Sequence, residues 1–250
     1  MKKIVVALDV KDGRVVKSVK GVNFKDAGNP AEAAAHYSAA GADEIVLLDI
    51  MATVEKRGLF LDLLKKTVEV VNVPLVAAGG IRSVEDAEAI LAAGASKVSV
   101  GSAAVKRPAL IAELAERFGS GKIVTAVDVK RGSDGADYVV VDGGHTLTDV
   151  EAVGWAVECQ RLGAGEILLT SFDADGTKGG YDLTLTRKVV DRISIPVTAS
   201  GGAGSLEDIY DGLTEGGAQS ALVASLFHFE ELTVRGVKEY LRDRGLEVYI

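Results

Sequence analysis

The sequence predicts an α/β protein folded as a (β/α)8 barrel of the TIM type, and three observations predict it. Short apolar runs alternate with helical patterns eight times from end to end, which implies a parallel sheet and fits closure into a barrel. The chain also repeats itself at half length: Ile4-Val-Val-Ala-Leu-Asp9-Val10 returns as Ile123-Val-Thr-Ala-Val-Asp128-Val129. Finally, 250 residues with 48% apolar side chains suffice for the large core that such a barrel needs. The expectation is one barrel domain over residues 1–250, built from two similar halves.

The strand-like runs are Ile4–Val10, Glu44–Ile50, Pro74–Ala78, Lys97–Val100, Ile123–Val129, Glu166–Leu169, Pro196–Ser200 and Ala221–Val223. Each is a short apolar segment of the kind that a strand buried on both faces requires. Helical patterns cover Pro30–Ala40, Leu59–Val71, Val84–Ala93, Pro108–Phe118, Val150–Leu162, Tyr181–Ile193, Leu206–Glu215 and Glu231–Arg244. Asn29-Pro30 reads as a cap with proline in the first turn, and Ser83 and Ser205 each precede an acidic first turn. Gly41, Gly94, Gly163 and Gly217 end helices before the next strand. An open doubly wound sheet is the alternative, but it does not call for two matching halves.

The repeat extends well beyond the opening strand. Gly41-Ala-Asp-Glu-Ile-Val-Leu-Leu-Asp49 returns as Gly163-Ala-Gly-Glu-Ile-Leu-Leu-Thr-Ser171. Pro74-Leu-Val-Ala-Ala-Gly79-Gly80 returns as Pro196-Val-Thr-Ala-Ser-Gly201-Gly202, and Gly94 to Ser102 returns as Gly217 to Ser225.

A net charge of −8 argues against a nucleic-acid or acidic-membrane partner, since both need a basic face. The lone Cys159 cannot form an internal disulfide, which fits a reducing cytoplasm, and its helical context points to packing. Met1-Lys-Lys-Ile runs straight into a strand with no signal-peptide pattern, and no apolar run approaches the ~18 residues of a membrane span.

Sites in such barrels lie at the C-terminal strand ends. Those ends carry Asp9, Asp49, Gly79-Gly80, Gly101-Ser102, Asp128, Ser171-Phe-Asp173, Ser200-Gly201-Gly202 and Ala224-Ser225. A Gly-Gly turn followed by a small residue and a serine gathers backbone N–H groups into an anion cup. The cup occurs twice, as Gly79, Gly80, Gly101 and Ser102, and as Gly201, Gly202, Ala224 and Ser225. A lone Gly-Gly is normally just a turn, but the matched pair predicts a long substrate with a phosphate at each end. Asp9 and Asp128 then fall between the cups as an acid and base pair, rather than as isolated loop-binding carboxylates. Asp49 and Asp173 read as loop organisers. Lys17 and Lys20, in the loop after the first strand, are candidates for contacting an anionic substrate. His36, His145 and His228 lack metal-ligand spacing, so no metal site is expected. Asp173-Ala-Asp-Gly lacks the closing Glu of a calcium loop.

Several of these segments carry a family resemblance. Asp9-Val-Lys-Asp-Gly-Arg-Val-Val-Lys17, Asp43-Glu-Ile-Val-Leu-Leu-Asp49, Gly165-Glu-Ile-Leu-Leu-Thr-Ser171, Asp173-Ala-Asp-Gly-Thr177, Ala199-Ser-Gly-Gly-Ala-Gly204 and Ala224-Ser-Leu-Phe-His-Phe229 resemble the cyclase subunit of imidazole glycerol phosphate synthase. The resemblance runs nearly the whole chain. The related sugar-phosphate isomerase of the preceding step shares the two-fold barrel and its cups but usually lacks the Phe-His-Phe ending. The resemblance implies a lyase of histidine biosynthesis in the cytoplasm that takes a bisphosphate substrate. It also implies ammonia from a glutaminase subunit in a heterodimer, and no cofactor. It implies Asp9 and Asp128 as the acid/base pair, Lys17 (or Lys20, if the loop register differs) as a loop lysine, and Asp175 and Gly176 among the phosphate contacts. On the opposite face it implies Lys3, Glu44, Lys97 and Glu166 as a charged ring at the ammonia entrance.

The chain departs from that family at particular positions. The first loop reads Lys17-Ser-Val-Lys20-Gly-Val-Asn-Phe24, where Lys-Gly-x-Asn-Phe is usual. Met51 stands for a Thr, Ala78 for a Gly, Gly101 for an Asn and Ser96 for an Asp near the partner interface, and His145-Thr-Leu-Thr-Asp149 lacks a Thr-Gly. These positions cluster at substrate and partner contacts, so the alternatives are the isomerase or a divergent or engineered barrel that binds phosphate without the native activity.

Overall fold

The computed structural model describes residues 1–19, 22–52 and 60–250, the side chains of residues 17–24 excepted. In chain order its elements are β1 (Lys3–Lys11), β2 (Arg14–Val19), β3 (Val22–Gly28), α1 (Pro30–Ala39), β4 (Glu44–Asp49), α2 (Leu61–Val68), β5 (Leu75–Ala78) and α3 (Val84–Ala92). Next come β6 (Lys97–Val100), α4 (Ser102–Lys106), α5 (Ala109–Phe118), β7 (Ile123–Arg131), β8 (Asp137–Val141), β9 (Thr146–Glu151) and α6 (Ala152–Arg161). The chain ends with β10 (Glu166–Ser171), α7 (Leu183–Val190), β11 (Val197–Ser200), α8 (Leu206–Leu213), β12 (Ser220–Val223), α9 (Ser225–His228) and α10 (Val234–Asp243). Strands β1, β4, β5, β6, β7, β10, β11 and β12 pair in parallel in that order, and β12 pairs back to β1. The described residues therefore form the closed eight-stranded barrel that the alternation predicts.

Alternation along each strand sorts the side chains. On β1, Ile4, Val6, Leu8 and Val10 face the helices in the large outer core, whereas Val5 and Ala7 join Val46, Val76, Ala78, Val124 and Leu222 in a smaller cluster that fills the barrel. The same parity carries Lys3 and Asp9 inward at the two ends of β1. It also carries Asp128 inward on β7, after Val124.

Local chemistry sets the helix boundaries. Ser83 Oγ accepts from Asp86 N at 3.2 Å while Asp86 Oδ2 accepts from Arg82 N at 2.8 Å. The second half repeats this reciprocal cap, with Ser205 Oγ to Asp208 N at 3.1 Å and Asp208 Oδ2 to Gly204 N at 2.9 Å. Some helices start later than their apolar pattern suggests because a cap residue intervenes. Asp182 accepts from Leu185 N at 2.9 Å, so α7 starts at Leu183, and Tyr181 instead donates its hydroxyl to Leu222 O at 2.8 Å. Glu151 likewise caps α6, and Thr233 caps α10. The expected start of the second helix at Leu59 lies outside the described residues.

Two hairpins extend the barrel above its C-terminal rim, one per half. Strand β1 continues antiparallel into β2 and then β3, and β7 continues into β8 and then β9. Lys17, expected in a loop, therefore sits in strand β2. At the other end, α10 is tied to the start of the chain. Its buried Lys238 reaches Asp43 Oδ1 at 2.7 Å, and Asp43 Oδ2 accepts from Ile4 N at 2.7 Å.

Candidate active site

Asp9 and Asp128 sit at matching heights on β1 and β7, which are four strands apart around a ring of eight and thus face each other across the mouth. Their immediate neighbours differ. In the parallel register Asp9 lies beside Leu48 of β4, whereas Asp128 lies beside Thr170 of β10. Burial pushes the Asp128 carboxyl up to about 6. A hydrogen bond from Thr170 opposes that rise, and the charge of Asp175 adds to it. Sequence reasoning missed Thr170, although the repeat marks it: threonine stands where the first half has Leu48.

The two Gly-Gly turns have the same construction. Gly79 has φ +98°, and a Cβ there would lie 2.3 Å from Asp49 O; Gly201 has φ +86°, and its Cβ would lie 2.7 Å from Ser171 O. Asp49 and Ser171 are themselves repeat partners, so each turn folds tightly over the end of the neighbouring strand, and only glycine fits. The residues ahead of the two short helices share an unusual backbone: φ −123°, ψ −98° at Gly101 before α4, and φ −129°, ψ −76° at Ala224 before α9. Gly80, Gly101 and Ser102 thus lie at one side of the mouth, and Gly202, Ala224 and Ser225 at the other. Asp175, from the turn after β10, packs against Gly201, with Gly176 beside it at φ +72°.

The remaining rim carboxylates organise loops. Asp49 Oδ1 accepts from Met51 N and Ala52 N, both at 3.0 Å, and Asp173 Oδ2 accepts from Arg131 N at 2.8 Å. Ser102 Oγ accepts from Asp142 N at 2.8 Å, which anchors the β8–β9 turn beside the first Gly-Gly turn. The side chain of Lys17 and the whole of Lys20 lie outside the described residues.

At the opposite, N-terminal end of the barrel, Lys97 Nζ lies 2.7 Å from Glu44 Oε2 and 2.8 Å from Glu166 Oε2. Thr198 Oγ1 donates to Glu166 Oε1 at 2.6 Å. These charges line the barrel and are not the surface pairs their spacing alone would suggest: Glu44 is 3% exposed. Burial raises Glu44 even though Lys97 pulls the other way, while the two carboxylates hold Lys97 above the usual lysine range against its own desolvation. The group is a firmly protonated Lys97 shared by two carboxylates, with burial working against the charge of Glu44. Lys3 acts on Glu44 through its charge, with no direct bond among those described.

Among the described residues no cluster of His, Cys, Asp and Glu could hold a metal ion, and no helix is long and apolar enough to cross a membrane. Cys159 is buried, and its thiol is pushed up to about 12 by that burial, which makes it an inert packing residue.

The sequence profile described as "Histidine biosynthesis protein" matches residues 3–233. The match spans nearly all of the barrel and both carboxylate-bearing strands, and it covers the isomerase and the cyclase without separating them. The chain thus belongs to the histidine biosynthesis protein family, as a (β/α)8-barrel enzyme of that pathway acting on its phosphorylated sugar intermediates.

Proposed function

We propose that this enzyme is the cyclase and lyase of the pathway. With ammonia, it converts a two-phosphate ribulosyl aminoimidazole carboxamide substrate into imidazole glycerol phosphate and an aminoimidazole carboxamide ribotide. The whole chain, residues 1–250, acts as one catalytic domain in the cytoplasm. The observation that carries this reading over the isomerase is the largely buried Glu44–Lys97–Glu166 ring, at the opposite end of the barrel from the Asp9–Asp128 pair. An isomerase needs no second opening to its barrel, whereas a cyclase fed with ammonia does. The apolar lining between ring and mouth, from Val5, Ala7, Val46 and Leu222, suits a small neutral molecule and repels ammonium.

The substrate spans the mouth with one phosphate on Gly80, Gly101 and Ser102 and the other on Gly176, Gly202, Ala224 and Ser225. Its reacting carbons are then held between the two carboxyls. Asp128, whose carboxyl burial raises to about 6, gives a proton. Asp9 takes one, and Lys17 is the cation for the anionic substrate. The Lys3, Glu44, Lys97 and Glu166 ring admits ammonia supplied by a glutaminase subunit docked on that face.

Incubating the isolated chain with the bisphosphate substrate, with and without ammonium salt at alkaline pH, tests the reading. Ammonia-dependent release of both products supports it. Conversion of the aldose precursor without ammonia selects the isomerase instead. Phosphate binding with neither activity marks a barrel that has lost the reaction.

A further inference from the structure

The turn between β8 and β9 is built from three successive residues in the left-handed region. Asp142, Gly143 and Gly144 have φ of +56°, +67° and +83°. Two of them are glycines, which enter that region freely, and the first is of a type that tolerates it better than most. This backbone brings the N–H of Asp142 to Ser102, whose Oγ accepts from it at 2.8 Å. The Asp142 carboxylate pairs with Lys106, the last residue of α4, at 2.6 Å from Oδ1 to Nζ. The far end of the turn is wedged against another part of the rim. A Cβ on Gly144 would lie 2.2 Å from the Phe172 ring, and Phe172 N donates to Val129 O at 2.8 Å. Strand β7, which carries Asp128, stands between β6 and β10 in the barrel. The turn therefore touches the rim on both sides of that strand, at Ser102 after β6 and at Phe172 after β10.

A serine hydroxyl has one proton to give and two lone pairs. Toward an anion only the proton attracts, and a lone pair turned the same way repels. An N–H against Oγ occupies one lone pair and turns the hydroxyl proton away from itself, so Ser102 is set as a donor before any ligand arrives. Donation into Oγ also polarises the O–H bond. The Asp142 carboxylate, left alone, would put a negative charge close to a phosphate on Ser102, and Lys106 cancels it. Both side chains are partly exposed, 59% for Lys106 and 31% for Asp142, so their pairing contributes little to stability. Its effect lies in where it holds Asp142 and in the charge it cancels.

We propose that Asp142 is a positioning residue for the first phosphate: its backbone N–H presents Ser102 to the anion as a hydrogen-bond donor, and Lys106 holds Asp142 in place and offsets its charge. The proposal rests on the reading of Gly80, Gly101 and Ser102 as a phosphate site.

Titrating the full-length chain with inorganic phosphate, followed through backbone amide resonances, tests this. The Gly80, Gly101 and Ser102 amides read the first cup, and those of Gly202 and Ser225 read the second. Asp142→Ala strains the left-handed turn and frees Lys106; it weakens phosphate at the first cup at least about fivefold and leaves the second unchanged. Asp142→Asn, which tolerates the turn and keeps an oxygen for Lys106, restores the first cup. Lys106→Met weakens the first cup about threefold at low salt, and the deficit fades as salt is added. Ser102→Ala weakens it too, and adding Asp142→Ala to Ser102→Ala brings no further loss, since both act through one hydroxyl. A turn that served folding alone would add its loss to that of Ser102→Ala and spread it over both cups. Unchanged first-cup affinity in Asp142→Ala, equal losses at the two cups, or an additive double variant overturns the proposal and leaves the phosphate reading intact. Phosphate that shifts neither cup of the wild type overturns that reading and the proposal with it. If Asp142→Ala does not fold, Lys106→Met takes its place, and first-cup affinity that it leaves unchanged at low salt overturns the proposal.

Discussion

At the scale of single residues, the two rim carboxylates are equivalent in the repeat but not in their surroundings. Asp128 titrates near 6, above the ordinary 3.8 of an aspartate, because burial disfavours its charge. Between those two values the folded chain holds a proton that the unfolded chain has lost, so this carboxyl contributes stability in acid that is lost as pH rises through about 6. Asp128→Asn removes that dependence. Urea unfolding at matched pH should show the variant level with the wild type near pH 4 and more stable by about 3 kcal/mol near pH 8, although turnover falls. Equal stability at both pH values would mean that Asp128 is not strained. Gly79 is a second residue whose environment leaves no choice. Its φ of +98° and the 2.3 Å approach of a Cβ to Asp49 O predict that Gly79→Ala costs about 2–4 kcal/mol and displaces the first anion cup, measurable as a lower thermal midpoint and weaker phosphate binding.

At the scale of elements, the ring at the N-terminal end ties strands β4, β6 and β10 through one ammonium group. Lys97→Met leaves two carboxylates facing each other without the cation that binds both, and the expected loss is about 3–5 kcal/mol at neutral pH. It should shrink in acid as Glu44, whose carboxyl burial already raises, takes up a proton, which a pH series of denaturant midpoints would read. Strands and helices were largely legible in the sequence, because a barrel strand is buried on both faces and α1, α3, α6, α7, α8 and α10 each bring a side-chain cap. The hairpins above the rim were less so. Residues 14–28 and 137–151 carry charge and alternate weakly, and their pairing with β1 and β7 depends on strands that have already formed. For that reason the sequence alone places Lys17 in a loop, whereas the folded chain has it in β2. The depth of Glu44 and Lys97 was also hidden, since a charged residue at a strand start looks the same on a surface and inside a barrel until the parity of the strand is known.

At the scale of the whole molecule, the half-length repeat accounts for most of what the sequence revealed about the candidate site. It pairs Asp9 with Asp128, Gly79 with Gly201 and Ser102 with Ser225, and the folded barrel sets these pairs on opposite sides of one mouth. Where the halves differ, the sequence gives less warning. Thr170 against Leu48 and His228 against Val105 each break the symmetry, one beside Asp128 and one at the seam where the chain's two ends meet. A two-fold scaffold with asymmetric details suits a substrate that is alike at its phosphate ends and different at its reacting centre. Family membership does not separate the two reactions of the pathway, and the departures at Met51, Ala78 and Gly101 fall beside the proposed first cup. The decisive comparison is therefore the rate of imidazole glycerol phosphate formation from the bisphosphate substrate and ammonia by the wild type, Asp9→Asn and Asp128→Asn. The account predicts turnover by the wild type that requires ammonia and a loss of at least about a hundredfold in each variant. Undiminished turnover in both variants, or none in the wild type, would contradict it.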